Sequence, residues 1–182
     1  MKVLLKILGA GFLAFMVLAI ADEWVFFSQA WFGDETAPAP ELSQSEQKAA
    51  ADTVHLTLNL MRHLYLSGGD LRFADRMPAS DGVKEEMLAD IVYLGQRHLV
   101  QDAELLRLDV MSIETLAAGR LELATRELWR FRVLRADGSG EVEAPHTRTL
   151  EASYLLVRGG SGWRVESWRL EEPEPPAGDG GA

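Results

Sequence analysis

Hydrophobic positions along this chain follow three successive patterns. The first is an apolar run from Val3 to Ala21, interrupted only by Lys6. As a helix it spans about 28 Å at about 1.5 Å per residue, close to a bilayer hydrocarbon thickness of about 30 Å. The second pattern has helical spacing. Ser43-Gln44-Ser45-Glu46 is a capping box, in which a hydroxyl and a carboxylate satisfy two free amides at a helix start. The stripe behind it comprises Val54, Leu58, Met61 and Tyr65, flanked by Leu56, Leu60 and Leu64, and Gly68-Gly69 closes the helix. A short irregular stretch with Leu71, Phe73 and Pro78 follows. Ser80 or Asp81 then caps a second helix, with Val83, Met87, Leu88, Ile91 and Leu94 inward.

Beyond about residue 98 the period drops to two, which predicts strands. The first covers 103–116, with Leu106, Leu108 and Val110 on one face, and Ala118-Gly119 turns the chain. Residues 120–134 alternate strictly. Leu121, Leu123, Thr125, Glu127, Trp129, Phe131 and Val133 share one face, and Arg126, Leu128, Arg130 and Arg132 lie on the other. Asp137-Gly138-Ser139-Gly140 is a hairpin turn into a third strand, 141–158. Gly159-Gly160-Ser161-Gly162 leads to a fourth, 163–170. Pairing 136 with 141 places Leu121 opposite Leu156, Leu123 opposite Tyr154, Thr125 opposite Ala152 and Arg126 opposite Glu151. Apolar then meets apolar and charge meets countercharge. The first hairpin has no such clean register, and a bulge is expected near Met111–Ile113.

These patterns divide the chain into a transmembrane segment (1–32), a Pro-containing linker (33–42), a folded domain (43–172) and a Pro- and Gly-rich tail (173–182). Trp24, Phe26, Phe27, Trp31 and Phe32 follow the apolar run directly, where amphipathic rings form an interfacial belt. Cleavage after Ala21 is the alternative, because Ala19-Ile20-Ala21 is a small-x-small site. The aromatic run favours an uncleaved anchor, since on a soluble N-terminus it would expose a sticky patch. Lysines before the span and acids after it put the N-terminus in the cytoplasm and the domain across the membrane.

Composition narrows the function. The chain has 182 residues, a net charge of −10 and no cysteine. That charge repels phosphate backbones, so nucleic acid is not an expected partner. Absence of cysteine removes disulfides, thiolate metal sites and a lipidated cysteine. The four histidines are scattered, with no metal-ligand spacing, and no cofactor is expected.

Glu127 is the most informative polar residue, because it lies on the apolar face. There a carboxylate must be paired, protonated or solvated. Its direct neighbour in the register is Leu150 and its diagonal neighbour is Arg148, so an ion pair with Arg148 or a place at a cavity mouth is expected. Trp129 and Tyr154 are the other residues that would line a cavity. Asp109 would approach Glu127 only if opposite residues of the first hairpin sum to 236. On the outer face, Leu128, Arg130 and Trp168 are candidates for contact with a partner, although the arginines are expected to pair with neighbouring acids first.

Helices followed by an antiparallel four-strand meander form an α+β pattern. The closing segment, Tyr154-Leu155-Leu156-Val157-Arg158, glycines, then Trp163-Arg164-Val165-Glu166-Ser167-Trp168, resembles the final hairpin of the nuclear-transport-factor-two-like superfamily. This is the cystatin-like cone fold shared with ketosteroid isomerases and polyketide cyclases. The resemblance implies helices packed on a strongly curved sheet over about residues 43–171. A membrane anchor ahead of such a domain also resembles the periplasmic-domain component of type IV secretion systems and the anchored accessory proteins of lipid importers. It implies a non-catalytic, single-pass subunit of the bacterial inner membrane. Its domain would be periplasmic and would contact the bilayer, other subunits or a second copy through the outer sheet face. No spacing matches the isomerases' reactive set, so no catalytic residue is assigned. The alternative is a cone that binds a small ligand, or acts as an isomerase or cyclase, with Glu127 as its polar handle.

Overall fold

The computed structural model describes residues 42–171. The expected anchor, its aromatic belt (Trp24, Phe26, Phe27, Trp31, Phe32), the linker up to residue 41 and the tail lie outside the described residues. Among those described, no helix is long and apolar enough to cross a membrane.

The elements run α1 (Gln44–Leu66), α2 (Leu71–Arg76), α3 (Asp81–Gly95), β1 (Leu99–Ala117), β2 (Arg120–Arg135), β3 (His146–Gly159) and β4 (Gly162–Glu171). The four strands form one antiparallel sheet in the order β1-β2-β3-β4, with the helices packed on one face. The capping box is present in both directions: the Ser43 side chain accepts from Glu46 N, and Glu46 accepts from Ser43 N. Ser67 caps the other end of α1, and Gly68 and Gly69 turn the chain at φ of +70° and +100°, a region that favours residues without a Cβ. Ser80 is the residue that caps α3. The core joins Val54, Leu58 and Leu64 of α1 and Met87 and Ile91 of α3 to the inward rows of β2, β3 and β4.

The β2–β3 register is the one read from the sequence, from Arg120 opposite Val157 to Phe131 opposite His146. Four expectations need correction. The stretch after α1 contains a six-residue helix, α2, capped by Asp70. The third strand begins at His146, not 141. Leu134 bridges Glu141, and Pro145, which has no N–H to donate, lies just before the ladder. In β1 the expected bulge at Met111 is present, but so are two more, between Leu105 and Arg107 and between Thr115 and Ala117. An extra residue on one strand reverses the face of everything beyond it, so Leu106 is exposed rather than aligned with Leu108. Finally, β4 has a shift beside Leu155/Leu156, where Leu156 pairs with Val165 and Leu155 with Ser167. Glu166 is the extra residue, and beyond it Trp168 lies opposite Tyr154 on the core side.

Candidate functional site

The middle of the concave face is built from alternate residues of β2 and β3. Strict alternation brings Leu123, Thr125, Glu127 and Trp129 inward on β2, and Leu150, Ala152 and Tyr154 inward on β3, all buried. Glu127 is fully buried. Its Oε1 accepts hydrogen bonds from Tyr154 Oη at 2.6 Å and Thr125 Oγ1 at 2.7 Å, and its Oε2 accepts from Trp129 Nε1 at 2.7 Å. Three neutral donors from two adjacent strands therefore satisfy the carboxylate. The expected ion-pair partner, Arg148, stands opposite Trp129 in the register, and the contacts to both Glu127 oxygens come from these neutral donors. Burial, then the neighbouring Glu127 charge, push the Tyr154 hydroxyl well above its ordinary range. Tyr154 is thus a donor held in its neutral form.

The second carboxylate does not join this cluster. Opposite residues near Glu127 sum to 235, so Leu108 faces Glu127 and Asp109 faces Arg126 on the other side of the sheet. Trp168, expected outside, contacts the Tyr154 ring edge-on with centroids 6.3 Å apart. Trp129 stacks with Phe131, and Phe131 with His146.

The outer face carries ion pairs. Arg126 donates to Glu151 at 2.7 Å, Arg130 pairs with Glu104, and Arg132 pairs with Asp102. Leu128 sits half-buried among them, opposite Arg107 and Thr149. Asp102 also accepts from Arg62 of α1 at 2.7 Å and is almost wholly buried. Burial alone would raise its pKa, but the Arg62 and Arg132 guanidiniums outweigh that and hold it below the usual carboxylate range. Met111, Ala124, Arg126, Glu151, Ser153 and Arg169 line a groove of about 210 Å³ on this side. That is below the roughly 300–1,000 Å³ of ordinary small-molecule pockets.

Sequence reasoning missed two features. Asp102 lies just ahead of the strand expected at 103–116, and its burial depends on Arg62, forty positions away in the chain. The edge strand β1 exposes Leu106, Val110, Met111 and Leu116. Leu106 and Met111 are extra residues at bulges, and Leu116 occupies the third irregularity.

No family profile and no curated protein matches this chain. Among solved structures, the intermembrane-space region of the chloroplast protein ARC6 is similar at TM-score 0.60 and 16% identity, covering 74% of this chain and 100% of that one. A periplasmic fragment of TraM matches at TM-score 0.51 and 12% identity, over 70% of this chain and 98% of that one. A ketosteroid isomerase-like protein from Erwinia carotovora atroseptica matches at TM-score 0.49 and 10% identity, over 73% and 100%. At such identities the likeness is one of fold. That fold is the cone expected from the closing hairpin, a four-stranded antiparallel meander packed against a long helix.

Proposed function

We propose that this protein is a non-catalytic accessory or assembly subunit of a bacterial inner-membrane complex. Residues 1–32 anchor it, residues 33–42 tether it, and the domain at 43–172 stands in the periplasm as a contact module. The observation that carries this reading is the state of Glu127. The polar handle a ligand site would need is consumed by Thr125, Trp129 and Tyr154, deep in a packed core. Exposed apolar side chains instead lie outside, along the β1 edge and on the helices at Leu56, Leu71, Val92 and Tyr93. Two fold neighbours with TM-scores above 0.5 support the reading. One is an intermembrane-space region and the other a periplasmic fragment, both by description parts of larger proteins.

Tethering supplies the mechanism. A short linker holds the domain near its partners at an effective concentration on the order of millimolar, so modest patches suffice for occupancy. Leu128, Arg130 and the β1 edge are the surfaces this reading assigns to other subunits or a second copy. Purification of the full chain from native membranes in mild detergent tests it. The expected result is retention in the membrane after alkaline carbonate and a stoichiometric companion in the purified complex. A freely dissolved polypeptide starting at Asp22, or a lone monomer in detergent, overturns it.

A further inference from the structure

The sheet edge opposite β1 is covered only in part. β4 pairs with β3 from Gly162 opposite Gly159 to Glu171 opposite Glu151. β3 also contains the stretch from His146 to Leu150, and among the described residues no strand pairs with that stretch on the β4 side. Its backbone direction follows from the other side. The Arg158 amide donates to Gly119 O, on the β2 side, at 2.8 Å, and the β2–β3 register runs on to His146 without a bulge. Antiparallel backbones turn alternately to their two neighbours, so the even-numbered residues of β3 face β2 and the odd-numbered ones face β4. Thr147 and Thr149, both exposed, therefore aim N–H and C=O at the uncovered edge.

The chain beyond Glu171 starts at this edge. Opposite residues of β3 and β4 sum to 322 from Leu155 and Ser167 to Glu151 and Glu171. Continued, that register sets Pro173 opposite Thr149, Glu174 opposite Arg148, Pro175 opposite Thr147 and Pro176 opposite His146. Two features favour it. Arg148 is half-buried on the inner face, opposite Trp129, and Glu174 would share that face. Glu172, Glu174 and Pro175 each precede a proline, which biases all three toward extended backbone, so the segment needs little further ordering to lie beside a strand. A third feature limits it. Pro173 and Pro175 stand where a ladder residue would donate to Thr149 and Thr147, and proline has no N–H. Their carbonyls remain able to accept.

We propose that residues 172–176 lie along the β3 edge as a strap. Glu174 sits on Arg148, and the carbonyls of Pro173 and Pro175 accept from the Thr149 and Thr147 amides. Only half the hydrogen bonds of a full ladder form. The strap therefore shields the edge from foreign strands, yet peels away more readily than β4 itself. This inference does not depend on the anchor reading.

Amide hydrogen exchange of the full chain in detergent, read residue by residue by NMR, tests the strap. Truncation after Glu171 removes nothing from β4. Exchange at Thr147 and Thr149 should then rise several-fold, with Ser153 and Leu155 unchanged. Glu174→Arg should do the same in smaller measure, and Arg148→Glu combined with Glu174→Arg should restore part of the protection. Pro173→Ala together with Pro175→Ala supplies the two missing donors and should slow exchange at both threonines several-fold below wild type. Equal exchange at Thr147 and Thr149 in the full and truncated chains overturns the strap. Exchange in the double alanine variant no slower than in wild type overturns the register on which it stands. Protection that fades on dilution also overturns it, because the covering tail then belongs to a second copy.

Discussion

Tyr154 donates a 2.6 Å hydrogen bond across the β2–β3 ladder to Glu127, and neither side chain reaches solvent. Leaving a buried donor without an acceptor costs about 1–3 kcal/mol. Glu127→Leu strands Tyr154, Thr125 and Trp129 together, so a loss of at least about 3 kcal/mol is expected. Tyr154→Phe removes one donor and should cost about 1 kcal/mol. Urea unfolding in detergent reads both. A Glu127→Leu protein that unfolds at the wild-type midpoint would show that the cluster is not structural.

The buried hydroxyls of Tyr65 and Tyr154 set an alkaline limit. Burial and neighbouring carboxylates, Asp90 for Tyr65 and Glu127 for Tyr154, raise both well above the ordinary tyrosine value of about 10. A raised folded value means stability that is complete below the unfolded value and lost as pH rises through the folded one. Absorbance at 295 nm should therefore show these two tyrosinates appearing together with loss of circular dichroism. Smooth ionisation near pH 10 in a still-folded protein would contradict this.

Acid stability should depend on two opposed groups. Asp102 is depressed, so its contribution is present above the unfolded carboxylate value and lost as pH falls through the lower folded one. Glu86 and Asp90 are raised, Glu86 by burial and then by the Asp90 charge, Asp90 by burial. The stability tied to this pair is complete below about pH 4 and lost as pH climbs through their folded values. Asp102→Asn is expected to cost about 1–3 kcal/mol at pH 7 and to flatten the acid limb of the stability curve. Glu86→Gln is expected to raise the melting temperature slightly at pH 7 and to leave it unchanged at pH 3. Melting curves of the two variants across that range should bend in opposite senses.

The bulge at Glu166 decides where Trp168 points. Deletion of Glu166 would leave plain alternation from Val165 onward, with Ser167 outward and Trp168 and Leu170 still inward. Near-ultraviolet circular dichroism of the deletion variant should therefore keep the Tyr154–Trp168 contribution. Loss of that contribution would mean that the face of Trp168 is set by something other than the bulge.

The legible parts of this fold are those where local signals agree. The capping box at Ser43–Glu46, the stripe of α1 and the whole β2–β3 register follow from spacing alone. Both strands alternate without interruption there, and a one-residue slip would bury Arg126. Bulges are different. Nothing at Leu106 or Glu166 marks an extra residue, because neither is a glycine; the curvature that demands them belongs to the whole sheet. Each moved a side chain to the opposite face from the one expected, Leu106 outward and Trp168 inward. The site was half visible: Glu127 stood out as a carboxylate in an apolar row, but its donors lie on its own strand and the next one. A search for a countercharge therefore pointed to Arg148. Asp102 gave no local signal at all, since only the meeting of α1 with β1 encloses it.

The three irregularities in β1 affect more than the faces of its side chains. A regular outermost strand of 19 residues would be a ready template for sister molecules to add strand upon strand into fibres. Each kink throws the amides and carbonyls out of step with a would-be neighbour, so stacking stalls after a few residues. Copies crowded at high density can then brush past each other, greasy rims included, without zipping into aggregates.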